Sequence, residues 1–157
     1  MEKLMGHLAW QNDLNTGIAV IDSQHKRIVE MINQLYDAEQ IGDREAVGQV
    51  IEDLVDYTMS HFAFEETLIE DAGYPLTRAH KKVHELFIRR VNDYKLRFHA
   101  GENVAHELRE MLARWLFNHI RNEDAAYTEA VRNNLAELTR DKSEGGWLAR
   151  SLKRFFR

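Results

Sequence analysis

The residues best able to do chemistry in this chain are histidines and carboxylates set at helical spacing. His80-Lys81-Lys82-Val83-His84 places two imidazoles one turn apart, so both leave the same face of a helix. His61 and Glu65 repeat the four-residue step with a carboxylate as the second donor. His119 follows, with Glu123 and Asp124 just behind it, and His25 stands alone upstream. Singly, each has a plainer reading: a capping histidine, a solvated pair, a satisfied core imidazole. Together, four separate segments bring ligand types to their apolar sides. Imidazoles with carboxylates that can bridge, and no thiolate anywhere, suit iron or another borderline transition metal. Five histidines and two carboxylates are too many donors for one ion and suit two. A structural zinc site would close with four ligands. A ferritin-like diiron site would need Glu-x-x-His on each of two helices, which this chain lacks. A site so poor in carboxylate favours reversible oxygen chemistry over oxygen cleavage.

The elements that must position these residues read as all-α. With 157 residues the chain is one domain's worth, and a single proline leaves long helices uninterrupted. Residues 1–19 form an irregular arm whose Trp10 and Ile18 pack onto the domain. Asp22 is the expected N-cap of a first helix over about 23–40, with Ile28, Met31, Ile32, Leu35 and Tyr36 on its buried stripe. A second helix over 44–72 is capped by Asp43 and carries His61 and Glu65 among its apolar positions. A carboxylate there is costly to desolvate unless a proton or a metal compensates it. Gly73 and Pro75 end that helix. Thr77 caps a third, running to about 100, whose inner side holds His80, His84, Phe87, Val91 and Phe98. A fourth covers roughly 102–138, with Trp115, Leu116 and His119 on a stripe continued by Tyr127, Val131 and Leu135. Short linkers make neighbours antiparallel, so the expected architecture over 20–140 is an up-down-up-down four-helix bundle. That topology gathers the four ligand segments at one end. His7, His99 and His106 are expected to face solvent.

With no cysteine, disulfides, zinc–thiolate sites, iron–sulfur clusters and thiol nucleophiles are all ruled out. No export signal opens the chain, and no apolar run approaches the roughly 18 residues of a membrane span. A cytoplasmic location, with attachment at the periphery of the inner membrane, is the expectation. The net charge of -5 argues against nucleic acid as a partner.

The motifs resemble the hemerythrin family in its single-domain bacterial form, over about residues 8–128. The resemblance rests on Trp10, the segment 21–26 with His25, His61-Phe62-Ala63-Phe64-Glu65-Glu66, His80-Lys81-Lys82-Val83-His84 and the run 115–124. It implies an oxo- or hydroxo-bridged pair of iron ions. His80, His84 and His119 would saturate one iron, and His25 and His61 would hold the other with one position open. Glu65 and Asp124 would bridge them. Regular helical spacing would choose Glu123, four after His119; the family's aspartate stands fifth, so the resemblance selects Asp124 and implies a local distortion there. It also implies an apolar oxygen pocket built here from Ile28, Phe62, Ile69, Trp115 and Leu116. The implied function is reversible dioxygen binding for transport, storage or sensing, without catalysis. The alternatives are a diiron peroxidase or nitric-oxide-detoxifying enzyme, or an iron or redox sensor acting through the tail.

Residues 141–157 lie beyond the resemblance: a hinge at Gly145-Gly146, then an amphipathic helix from Trp147. Arg150, Lys153, Arg154 and Arg157 are unopposed by any acid there, while the other 146 residues carry -9. Such a tail can fold back onto the bundle, or bind a membrane surface or an acidic protein partner.

Overall fold

The computed structural model of the chain describes residues 6–138 and 146–156, the side chains of 135–138 excepted. Leu135 on the inner stripe, the hinge at Gly145 and Arg157 therefore lie outside the described residues. The described elements are all helical: a 3-10 turn Asn12–Leu14, α1 Ala19–Ile41, α2 Arg44–Asp71, α3 Thr77–His99, α4 Ala105–His119, a π turn Ile120–Asp124, α5 Ala125–Leu138 and α6 Trp147–Phe155.

α1 begins earlier than Asp22 suggests. Ile18 and Ile21 are fully buried and draw the chain into helix from Ala19, so Asp22 sits inside the first turn rather than capping it. Its carboxylate instead accepts hydrogen bonds from the amide and hydroxyl of Thr16, both at 2.8 Å, and from the Gly17 amide at 3.1 Å. The aspartate thus fastens the arm to the bundle. Gly42 closes α1 in the left-handed region (φ 77°), and Asp43 caps α2 by accepting from the amides of Glu45 and Ala46.

Thr77 also differs from expectation. It is the first residue of α3, with Leu76 at the cap position, and its hydroxyl donates back to the Tyr74 carbonyl at 2.6 Å.

The expected single fourth helix is interrupted at residues 120–124, where the local distortion implied for Asp124 is found. There the backbone widens into a π turn, which separates α4 from α5. The arm reaches this turn: Arg121 donates to Asp13 at 2.8 Å and to Gln11 at 2.9 Å.

α1 packs on α2 and α4, and α2 packs on α3, α5 and α6. The larger apolar core runs along these contacts, from Ile28, Ile32 and Leu35 through Ile51, Leu54 and Phe62 to Leu108, Leu112 and Leu116. A smaller second core lies apart. It joins Ile18, Ile21, Phe64, Leu68, Ile69, Tyr127 and Val131, with the apolar side of α6 laid on top. Phe64 meets Trp147 and Phe156 at ring-centroid distances of 5.8 and 5.9 Å, and the indole of Trp147 donates to Asp71 at 2.7 Å. The tail folds back onto the bundle and turns Arg150, Lys153 and Arg154 outward. Among the described residues no helix is long and apolar enough to cross a membrane.

Candidate metal centre

All seven expected donors meet in one place, and none is more than 4% exposed: His25, His61, Glu65, His80, His84, His119 and Asp124. α1 contributes His25, α2 His61 and Glu65, and α3 His80 and His84. α4 ends on His119, and the π turn ends on Asp124. That turn is what carries the fifth residue after His119 inward. Glu123, which an unbroken α-helix would aim inward, stays 40% exposed with its carboxylate 3.5 Å from Nδ1 of His119.

The donors divide into two groups that share a carboxylate. Oε1 of Glu65 lies 2.7 Å from Nε2 of His80 and 3.2 Å from Nε2 of His84. Oδ1 of Asp124 lies 3.2 Å from Nε2 of His80 and 3.1 Å from Nε2 of His119. The second oxygens point the other way. Oε2 of Glu65 is 3.4 Å from Nε2 of His61 and 3.8 Å from that of His25, and Oδ2 of Asp124 is 3.2 Å from Nε2 of His25. Ligand atoms of Glu65, His80, His84, His119 and Asp124 lie within 4.8 Å of one another, as do those of His25, His61 and Glu65.

Two imidazoles are held from outside. Gln24 meets Nδ1 of His61 at 2.7 Å, and Glu66 meets Nδ1 of His84 at 2.9 Å. Placing the ring proton on Nδ1 leaves Nε2 with its lone pair turned inward. Tyr127, fully buried, donates to Oε2 of Glu65 at 3.0 Å. Ring stacking fixes the planes of His84 and His119: Phe62 lies over His84 at 3.8 Å and 4°, and Trp115 over His119 at 4.3 Å and 16°. Sequence reasoning did not single out Gln24, Glu66 or Tyr127 for these tasks. A signal exists for each, since Gln24 and Glu66 adjoin donors in the chain and Tyr127 follows Asp124 on the inner stripe.

Of the five residues expected around an oxygen pocket, Ile28, Phe62 and Leu116 share the main core, with Trp115 packed against it. Ile69 does not join them; it belongs to the second core beneath α6. His7, His99 and His106 are exposed.

Burying this set without a cation is expensive. Nε2 of His25 and both oxygens of Asp124 have no hydrogen-bond partner, and Nε2 of His84 faces Nε2 of His119 at 3.1 Å, where one shared cation would satisfy both. Protons take up the balance in its absence. Burial opposes charge on His25 and His80, but the carboxylates of Asp124 and Glu65 outweigh it and raise these groups to about 9 and about 10. Burial pushes His61 down to about 3, only partly countered by Glu65. Burial also works against the charges of Glu65 and Asp124, yet the surrounding imidazoles hold both carboxyls below their usual range. The residues present therefore fit a cation-binding centre in composition, in orphaned atoms and in charge.

This electrostatic arrangement has a measurable consequence. Loading cations near neutral pH must expel the protons on His25 and His80, so ferrous ion added anaerobically to metal-free protein should release about two protons per chain. An indicator dye in weak buffer reads this directly, and affinity should climb as pH rises towards 9. The metal-free fold has the opposite slope. His25 and His80, raised above their unfolded value, stabilise it fully below pH 6.5 and lose that contribution as pH rises through about 9 and 10. His61, lowered, makes stability fall as pH drops from 6.5 towards about 3.

A helical protein that buries histidines and shared carboxylates in this pattern is a cation-binding one. Comparison with known proteins gives the same class. Residues 16–131 match the family described as hemerythrin HHE cation binding domain, and the chain belongs to the hemerythrin family. A bacteriohemerythrin of Pseudomonas aeruginosa is 69% identical over 152 residues, covering 97% of this chain and 99% of its own. One from Methylococcus capsulatus is 35% identical over 116 residues, covering 73% of this chain and 88% of its own. A wild-type hemerythrin crystal structure superimposes with a TM-score of 0.75 at 32% identity, covering 79% of this chain and 97% of its own.

Proposed function

We propose that the seven donors hold two iron ions and that the pair binds dioxygen reversibly, as a non-enzymatic carrier or store. The fold that does so is read as an up-down four-helix bundle, in which α4, the π turn and α5 form one interrupted rod. The observation that carries the proposal is the opposed aim of the two carboxylates, each giving one oxygen to His80, His84 or His119 and the other to the side of His25 and His61. The relatives' names support iron and dioxygen as the ligands.

Held by these residues, a ferrous pair would supply the two electrons that reversible dioxygen binding requires. The protein's residues make the two positions unequal. Three imidazoles and two carboxylates surround one, while two imidazoles and the same carboxylates surround the other. The second has one donor fewer and is where a small ligand fits. Gln24 and Glu66 orient the rings of His61 and His84, and Tyr127 holds its proton on the oxygen of Glu65 that faces His61. Ile28, Phe62 and Leu116 are nearly inaccessible and keep water from the centre. Trp115 and Phe62 also stack over His119 and His84, stiffening the more crowded side.

Anaerobic loading followed by air tests this reading. Two irons per chain, with a visible charge-transfer band that appears on oxygenation and vanishes when oxygen is removed, are the expected result. One iron per chain, or a band that does not reverse, overturns it.

A further inference from the structure

The tail helix takes no part in the centre and lies past residue 131, where the family match ends. Trp147, Leu148, Leu152 and Phe155 share one side of α6, and Arg150, Lys153 and Arg154 the other. The seat on the bundle covers the apolar side incompletely: all four, and Phe156, remain partly exposed. Residues 147–157 carry four cations and no acid, whereas the rest of the chain carries -9.

We propose that α6 is a reversible anchor for anionic lipid bilayers, exchanging its seat on the bundle for the headgroup boundary. A nine-residue helix spans about 14 Å, too short to cross a bilayer but suited to lying in its surface. There the indole, leucine and phenylalanine side chains gain fuller burial, and the arginines and lysine reach up to anionic headgroups. An acidic protein surface would engage the cations but leave the apolar side as it is. A bilayer engages both.

The acidic bundle is repelled by the same lipids only within the screening length of about 8–10 Å in physiological salt. The seat is held by the packing of Trp147 and Phe156 on Phe64 and by one surface hydrogen bond, the indole of Trp147 donating to exposed Asp71 at 2.7 Å. Bundle and membrane therefore compete for one helix.

Co-sedimentation of the full iron-loaded chain with vesicles tests this. Vesicles of phosphatidylcholine with phosphatidylglycerol should pellet about tenfold more protein than phosphatidylcholine alone, and added salt should weaken the difference. A chain ending at Gly146, shown to keep its iron, should lose the difference. Asp71→Ala removes the acceptor for Trp147 without touching the tail and should raise binding to the anionic vesicles about fivefold, the effect of losing one hydrogen bond. The proposal is overturned by equal binding of full and truncated chains, by equal binding to both lipids, or by Asp71→Ala leaving binding unchanged. Dimerisation of the full chain but not the truncated one, without lipid binding, would assign the apolar side to a second copy instead.

Discussion

Glu65→Ala should leave the chain holding one iron or fewer after anaerobic loading, against two for the parent, as read by metal analysis. Glu65, like Asp124, faces both groups of ligands, with an oxygen for each. Its loss takes an anion from both positions at once. Changing a residue that only supports a ligand already costs roughly 10–100-fold in metal affinity, and loss of a shared donor exceeds that. Glu65→Gln separates charge from shape. It keeps the volume and an acceptor for Tyr127, so it should fold, and it should still fail to hold the pair. Two irons bound by Glu65→Gln would refute the role of a shared anionic donor.

The second large effect is on stability. Metal-free and iron-loaded protein should differ in melting temperature by about 10–20 °C. Each ion at a hundredfold excess over its Kd adds about 2.7 kcal/mol, so two add about 5 kcal/mol. For a domain of this size each kcal/mol moves Tm by about 2–4 °C. The physical source is the cluster itself: Nε2 of His25 and both oxygens of Asp124, which lack hydrogen-bond partners, gain one in the metal. Calorimetry of chelator-treated and reloaded samples measures the difference, and coincident transitions would show that these groups do not bind metal.

Much of this was legible from spacing alone. The four-residue steps at His61–Glu65 and His80–His84 are local, and a helix carries out such a pattern wherever the apolar stripe is long enough to be buried. The π turn announced itself through the resemblance, because an aspartate five residues after a histidine cannot share its face in a regular α-helix. What stayed hidden depends on contacts across the chain. Phe64 is off the stripe of α2 and is core through a second cluster that Trp147 and Phe156 return to cover. Ile69 sits on the stripe, yet it belongs to the second core with Ile18, Ile21 and Tyr127 rather than to the core of Ile28 and Phe62. Asp22 has the composition of a cap, and the burial of Ile18 and Ile21 turned it into a clasp for the arm. Thr77 yielded its expected role in the same way, to the carbonyl of Tyr74.

The widened turn at Ile120–Asp124 also sets which changes in chain length this rod can absorb. One residue advances an α-helix by about 100°, so an insertion or deletion elsewhere in α4 or α5 swings everything downstream off the inner face. Here the surplus residue is already stored. Losing one residue from 120–123 and winding straight would return the aspartate, Tyr127 and Val131 to positions four, seven and eleven after His119, all on one side. The turn works as a phase reserve, making this the single stretch of the rod where a shorter relative could keep its tyrosine and valine facing inward.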